Sequence, residues 1–528
     1  MPTLRHPLIH PFAGWDINRL VAARAVNRAR HPFLIWEPFA GGGESITYAD
    51  FADRVARLAA GLVHRGVKPG DFLLIHLDNC LELLVAWYAC ARAGAIAVTT
   101  NARSSADELS YFAAHCGAVA GITQPRFAEL VNGACHDLKW LAVTETDNGE
   151  PAPTAAGDRF ARLYREADKA PARPADPLAP VGVQYTSGTT SRPKGVLWTH
   201  ANALWGARVN ATHQDLRADD VHLTVLPLFH TNAQAYSVAA ALWVGATAVI
   251  QPRFSASRFW PVALRHRCTW ASLVPFCVRA LMDQPVPPRH HFRLWGNAQC
   301  EPPTDRFFHV KTIGWWGMTE TMSHGIVGLP QHDNRPLSMG KAAPEYGIAV
   351  LDDSGRPVAP GASGHLRVLG VPGLSLFKEY LNNAKATADS FDEAGWFITG
   401  DRVTLHEDGF LSFADRDKDM LKVGGENVGA SEIERVILSV GGVREAAVVG
   451  ERHPMLDEVP VAFVLPDGEP PQASPELVDR VLAACRRHLA DFKVPRQVVL
   501  VDSLPRSTLE KVAKAELRRR LAEGGAGR

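Results

Sequence analysis

Residues 185–195 read Tyr185-Thr186-Ser187-Gly188-Thr189-Thr190-Ser191-Arg192-Pro193-Lys194-Gly195. These eleven residues hold five Ser/Thr hydroxyls, two glycines and two cations. Such a loop suits a polyphosphate: glycines let the backbone approach, hydroxyls and N–H groups donate, and the cations offset negative charge. An extended run, 181–185, leads into the loop, and apolar Val196-Leu197-Trp198 follows it. The P-loop pattern G-x-x-x-x-G-K-[ST] does not fit. Gly188 and Lys194 keep its spacing, but Pro193 stands where Gly is needed and Gly195 where Ser/Thr is needed. Alone, the stretch also reads as a polar surface loop.

The chain has 528 residues, ample for a large core plus a smaller module. A hydrophobic fraction of 46% and a charged fraction of 21% are ordinary for a globular protein. Lys+Arg and Asp+Glu both number 56, so bulk charge offers no grip on nucleic acid or anionic membrane. The most apolar region, 83–100, is broken by Arg92 and Gly94 and reads as a buried helix running into a strand, with no membrane span. Eight cysteines show no CxxC pair and no His/Cys cluster at zinc spacing. Residues 1–7 lack a basic region followed by an apolar core, so a cytoplasmic protein with reduced thiols is expected.

Around the loop, strand and helix patterns alternate. Extended pieces at 33–38 and 45–48 flank Gly41-Gly42-Gly43, which reads as a hairpin turn in preference to a phosphate loop. Helical periodicity (Phe51, Val55, Leu58, Ala59, Leu62) starts only after Asp50. Strand patterns at 72–77, 96–99 and 118–123 alternate with helical ones at 80–93 and 108–116. Beyond the loop come a helix at 202–210, strands at 221–227, 246–250 and 270–274, a helix of small residues at 234–242, and an extended run at 311–317. This alternation predicts an α/β fold of parallel sheets covered by helices. From Gly347, short strands with Asp/Gly turns predict a small, mostly antiparallel β subdomain. The last ~110 residues suffice for a small α/β domain.

Five further stretches carry chemistry. Gly314-Trp315-Trp316-Gly317-Met318-Thr319-Glu320 ends in a hydroxyl and a carboxylate, although Thr-Glu alone also suits the N-terminal cap of a helix. Gly395-Trp396-Phe397-Ile398-Thr399-Gly400-Asp401 ends in a carboxylate able to accept two adjacent O–H donors, although Thr-Gly-Asp alone is an ordinary turn. Residues 415–422 form a charge run, Asp415-Arg416-Asp417-Lys418-Asp419 leading to Lys422. Gly424-Gly425-Glu426-Asn427-Val428 is a glycine-rich loop, and Leu504-Pro505-Arg506-Ser507-Thr508-Leu509-Glu510-Lys511 ends in a lysine. No G-x-S-x-G, H-E-x-x-H or strand-borne G-x-G-x-x-G competes with them.

In this order, the six stretches resemble the adenylate-forming superfamily of acyl-CoA synthetases, peptide-synthetase adenylation domains and luciferases. The resemblance spans nearly the whole chain. Its middle (229–234, 372–380, 426–428) is most similar to crotonobetaine/carnitine-type CoA ligases. It implies a large N-terminal AMP-binding domain at 1–415, a hinge at 416–418 and a small mobile C-terminal domain at 419–528. By the same resemblance, Thr186, Ser187, Gly188, Thr189, Thr190 and Lys194 hold the phosphates of ATP. Gly296, Asn297, Ala298, Trp315, Trp316 and Gly317 line the nucleotide and acyl site. Thr319 bonds a phosphate, Glu320 holds Mg²⁺, Asp401 takes the ribose hydroxyls, and Arg416 adds a ribose or phosphate contact. Lys418 is the pivot, and Lys422, Gly424, Gly425 and Glu426 belong to the loop that serves coenzyme A. Lys511 is the adenylation lysine. His230 is either beside the acyl group or a core histidine. Two positions depart from the pattern: Glu510 replaces the usual Gly before the lysine, and Gly429-Ala430 replaces the aromatic-Pro or similar pair often found there.

The implied function is ATP-dependent activation of a carboxylic acid to an acyl-adenylate, with pyrophosphate release, then transfer to coenzyme A. A stand-alone adenylating enzyme serving a separate carrier protein is the alternative, and a homodimer is allowed. A luciferase-like oxygenase and a non-catalytic binding protein are the rival classes, the latter disfavoured by intact Glu320, Asp401 and Lys511. The candidate acyl pocket (His230, Asn232, Tyr236, Trp295, Asn297, Gln299, Trp315) mixes aromatic and amide groups. Trp faces suit a quaternary ammonium, and equally a bulky alicyclic acid.

Overall fold

Helix Tyr48–His64 starts where Thr47 accepts the Asp50 N–H and Asp50 accepts the Thr47 N–H, a reciprocal cap. It buries Phe51, Val55, Leu58, Ala59 and Leu62, the periodic residues of the sequence. Helix Leu81–Ala93 stops at Gly94, whose φ of 78° is left-handed and costs a glycine little. Strand Ile96–Thr99 follows with every residue buried, as expected for a parallel strand covered on both faces. The computed structural model describes residues 10–147, 150–152, 157–169, 173–186, 193–416, 420–468, 474–505, 512 and 514–523.

Two large sheets dominate. In the nine-stranded one, Lys311–Gly317, Leu294–Asn297, Trp270–Ser272, Val221–Thr224, Thr247–Ile250 and Pro32–Trp36 lie side by side and parallel. Glu44–Thr47 closes one edge as the antiparallel partner of Pro32–Trp36, so the triple glycine lies in a hairpin connection as expected. His324–Val327 and Lys341–Ala342 close the other edge. The eight-stranded sheet runs Glu379–Tyr380, Lys194–Thr199, Pro180–Thr186, Ile96–Thr99, Phe72–His76, Ala118–Thr123, Leu141–Val143 and Asp158–Arg159. A four-stranded sheet begins at Gly347–Leu351 and continues through Ser363–Leu369 and Phe397–Leu405, antiparallel, to Leu411–Arg416.

One predicted helix differs in kind. The small-residue segment forms a π-helix at Asn232–Ala239 before an α-helix at Ala240–Val244. Periodicity of small residues does not separate a 3.6-residue turn from a wider one, and π-turns cluster at functional sites.

Packing divides the chain into two units. One comprises Met1–Ala102, Phe112–Tyr185 and Gly195–Asp415, and the other Arg103–Tyr111, Thr186–Lys194 and Arg416–Arg528. The first is built on one continuous apolar core. In the second, strand Asp457–Pro466 alternates between two clusters: Ala462 and Val464 enter one, Val461, Phe463 and Leu465 the other. All eight cysteines are buried, and none forms a disulfide. Among the described residues, no helix is long and apolar enough to cross a membrane.

His222, in strand Val221–Thr224, is fully buried and stacks 5.9 Å from the ring of Trp270. Burial pushes its imidazole down to about 4. The unfolded chain therefore takes up a proton near pH 6.5 that the folded protein refuses, so this contribution is complete above that pH and lost as pH falls toward 4. We expect His222 to cost about 2 kcal/mol of unfolding free energy between pH 7 and pH 5. Urea unfolding of the protein and of His222→Gln at both pH values measures this, and the variant should lose less.

Candidate active site

Strand Lys311–Gly317 sends successive side chains to opposite faces, so Trp315 and Trp316 part company. The Trp316 indole N–H donates to Asp401 Oδ2 at 2.8 Å, and both residues are buried. Asp401 lies in strand Phe397–Leu405, and its backbone N–H donates to the Thr399 hydroxyl at 3.1 Å. Folding thus joins an aromatic and a carboxylate 85 residues apart. After Gly317 the chain turns through 318–323 and returns as the antiparallel strand His324–Val327. Thr319 and Glu320 therefore sit in a tight turn between strands, and no helix follows for them to cap.

Glu320 is 4% exposed and its neighbours compensate that burial. The Tyr380 hydroxyl donates to Glu320 Oε1 at 2.7 Å. Burial, together with the adjacent Glu320 carboxylate, pushes the Tyr380 phenol far above its ordinary value, so the hydroxyl keeps its proton and donates. The Phe377 N–H donates to the Glu320 carbonyl at 2.7 Å, and the Trp198 indole N–H to the Thr319 carbonyl at 3.0 Å. Among the described residues, no cluster of three or more His, Cys, Asp or Glu side chains forms an all-protein metal cage. A single held carboxylate at Glu320 fits Mg²⁺, which takes few protein carboxylates and completes its shell with phosphate and water.

On the opposite face, the Trp315 ring lies 4.4 Å from that of His324 and 6.2 Å from that of Trp270, within 9° and 7° of parallel. Strand Leu294–Asn297 runs between Trp315 and Trp270. The indole crosses that strand at Gly296, where a Cβ would lie 1.6 Å from the ring. Tyr236, from the π-helix, meets Trp315 edge-on at 5.9 Å and His324 at 4.3 Å. Asn232 of the same helix accepts the Ser272 hydroxyl at 2.5 Å. His230 is partly buried just before this helix, its ring 4.4 Å from that of Phe229. Asn297 accepts the Ala298 N–H at 2.7 Å.

Trp295 does not join this group. Alternation along Leu294–Asn297 turns it away from Gly296, into a cluster with Phe259, Trp260, Phe292 and Phe308. It is a core residue, and Gln299 is exposed. At the opening loop, Thr186 ends strand Pro180–Thr186, Lys194 begins Lys194–Thr199, and the Thr186 hydroxyl reaches the Lys194 carbonyl at 3.5 Å. Ser187, Gly188, Thr189, Thr190, Lys418, Glu510 and Lys511 lie outside the described residues. Lys422, Gly424, Gly425 and Glu426 form the hairpin between Met420–Val423 and Glu426–Gly429.

Sequence reasoning missed Tyr380, Trp198, Trp270 and His324. Tyr380 lies within a stretch quoted for its resemblance, but nothing in spacing pairs it with a glutamate 60 residues away.

The crossing at position 296 leaves no room for a side chain. Gly296→Ala should cost about 1–3 kcal/mol in urea unfolding. The same substitution in a Trp315→Ala background should cost much less.

Residues 21–381 match the sequence model of the family described as AMP-binding enzyme, and residues 432–511 match that of the AMP-binding enzyme C-terminal domain. A crotonobetaine/carnitine–CoA ligase of Proteus mirabilis is 34% identical over 503 residues, covering 92% of this chain and 95% of its own. An Escherichia coli protein of the same name is likewise 34% identical over 503 residues, with the same coverage. Among solved structures, a double mutant of o-succinylbenzoate CoA synthetase from Bacillus subtilis, bound to a product analogue, superposes with a TM-score of 0.80 at 27% identity, covering 96% of this chain and 98% of that one. ATP-bound MatB of Rhodopseudomonas palustris superposes with a TM-score of 0.67 at 26% identity, covering 96% and 99%. With the two models spanning most of its length and the relatives matching 92% of it, the chain belongs to the AMP-binding enzyme family.

Proposed function

We infer that the chain is an AMP-forming acid–thiol ligase, which activates a carboxylic acid with ATP and passes the acyl group to coenzyme A. The observation that carries the site reading is the held turn at Thr319-Glu320, with Trp316 and Asp401 paired behind it. A carboxylate is a poor electrophile. Its oxygen attacks the α-phosphorus of ATP, the bond to the β-phosphate breaks, and pyrophosphate leaves. The thiol of coenzyme A then attacks the acyl carbonyl, loses its proton, and expels AMP. The first step depends on in-line placement and charge neutralisation more than on covalent help.

Residue roles follow from this course. Thr186 to Lys194 hold the phosphates with Thr319, Asp401 takes the ribose, Arg416 adds a ribose or phosphate contact, and Trp316 lies along the adenine or the acyl group. Glu320 holds Mg²⁺, which when bound offsets charge on the phosphate oxygens. Lys511 neutralises charge as the carboxylate approaches the α-phosphate. Lys418 is the pivot between residues 1–415 and 419–528, and Lys422 to Glu426 serve the thioester step. His230, Asn232, Tyr236 and Trp315 face the acyl group. The named relatives favour a quaternary-ammonium acid, with a bulky alicyclic acid as the second class. A cytoplasmic setting fits eight buried cysteines that form no disulfide.

A pyrophosphate-release screen over both acid classes, with and without coenzyme A, tests this reading. Acyl-CoA and AMP should form together, whereas an adenylate that accumulates with coenzyme A present would point to a separate carrier protein. Lys511→Ala should abolish acid-dependent pyrophosphate release, and full retained activity would sink the assignment. Glu320→Gln should lower that rate by about 10²–10³. Lys418→Pro should spare adenylation and slow thioester formation; equal loss of both contradicts a pivot.

A further inference from the structure

We propose that Tyr380 is a positioning residue for the Glu320 carboxylate, and that segment 372–381 is a brace fixing that carboxylate against the strand that leaves the phosphate loop. The proposal rests on the reading of Glu320 as the Mg²⁺ ligand. Glu379–Tyr380 pairs antiparallel with Lys194–Thr199, placing Tyr380 opposite Val196. The Lys378 N–H donates to the Leu197 carbonyl at 2.9 Å, and the Leu381 N–H to the Gly195 carbonyl at 2.8 Å. Tyr380 is thereby fixed by backbone bonds on either side, and its hydroxyl meets Glu320 Oε1 at 2.7 Å.

The rest of the brace is tied down as firmly. The Thr199 hydroxyl donates to the Gly373 carbonyl at 2.6 Å. The Asn202 amide donates to the Leu374 carbonyl at 2.9 Å and the Leu376 carbonyl at 2.7 Å. The Tyr346 hydroxyl reaches the Thr321 carbonyl at 2.9 Å and the Ser375 carbonyl at 3.0 Å. The Phe377 N–H holds the backbone of Glu320 itself. Backbone bonds fix where the residue is, but not where its flexible side chain points. The Tyr380 hydroxyl donates directly to the carboxylate oxygen and so restrains the orientation of that group. Partners that orient a metal ligand in this way typically change metal affinity about 10–100-fold when removed.

The test is calorimetric titration of Mg²⁺ into the full chain with a non-hydrolysable ATP analogue, α,β-methylene-ATP. Tyr380→Phe should weaken Mg²⁺ binding about 10–100-fold. It should move Mg²⁺ saturation of pyrophosphate release by the same factor, leaving the KM for the acid unchanged. Replacing Tyr380 with 4-aminophenylalanine, which keeps a donor in place, should restore binding. Tyr346→Phe loosens the brace without touching the carboxylate, so it should lower the thermal midpoint and leave Mg²⁺ affinity unchanged. An unchanged affinity in Tyr380→Phe beside a loss in Glu320→Gln overturns the role of Tyr380 alone. An unchanged affinity in Glu320→Gln overturns the metal reading and this proposal with it. Equal losses in Tyr380→Phe and Tyr346→Phe, or no rescue by the amino analogue, reduce Tyr380 to a structural residue.

Discussion

A buried carboxylate needs hydrogen-bond partners, and the bond between Tyr380 and Glu320 supplies one. Much of the architecture near it serves that pair. The strand Lys311–Gly317 delivers the glutamate, the short antiparallel strand His324–Val327 turns the chain back at once, and Glu379–Tyr380 adds itself to the edge of the other large sheet. A flexible loop could carry the same two residues. It would not hold them in one geometry, because each free torsion would compete with the hydrogen bond. Two sheets with separate strand orders thus converge on one turn, and both hold it in place.

A second constraint acts on the other face of the same strand. Flat rings from three strands of the nine-stranded sheet, His222, Trp270 and Trp315, lie close to parallel, and His324 continues the stack on a fourth. The stack is continuous only because Leu294–Asn297 contributes a glycine where the rings must touch. Large apolar surfaces in contact are removed from water together, and offset parallel rings add a modest electrostatic gain. Tyr236 then closes on the stack from a helix with wider turns than usual.

Much of this was legible in the sequence. A period of 3.6 marked the helix that buries Phe51 to Leu62, and short apolar runs marked the parallel strands, because burial on one face or on both selects apolar residues in those patterns; the start of the first helix at Tyr48, three residues earlier than the periodicity indicated, is set by the cap at Thr47. The hairpin around Gly41 and the antiparallel texture after Gly347 followed from turn chemistry, which is local. What remained illegible depends on tertiary packing. Composition could not tell a π-turn from an α-turn at 232–239, nor which way Trp295 points until the register with Lys311–Gly317 was known. Thr319-Glu320 alone read as a helix cap, since the residues that make it a turn between strands lie after position 323 and in partner strands. Tyr380 and Glu320 are joined only through the two sheets, so no short-range rule pairs them.

Adjacent tryptophans at 315 and 316 have separate neighbourhoods because a strand alternates. Trp316 meets Asp401, and Trp315 meets Tyr236 and His324. The same geometry makes the segment between the neighbouring strands a measuring device. Adding or removing one residue in 298–310 would slide Lys311–Gly317 by one position against Leu294–Asn297 and exchange the two indoles. The flat ring would then leave Gly296 and the carboxylate would lose its indole donor, both at once. In this part of the chain, connector length is therefore constrained as tightly as any side chain.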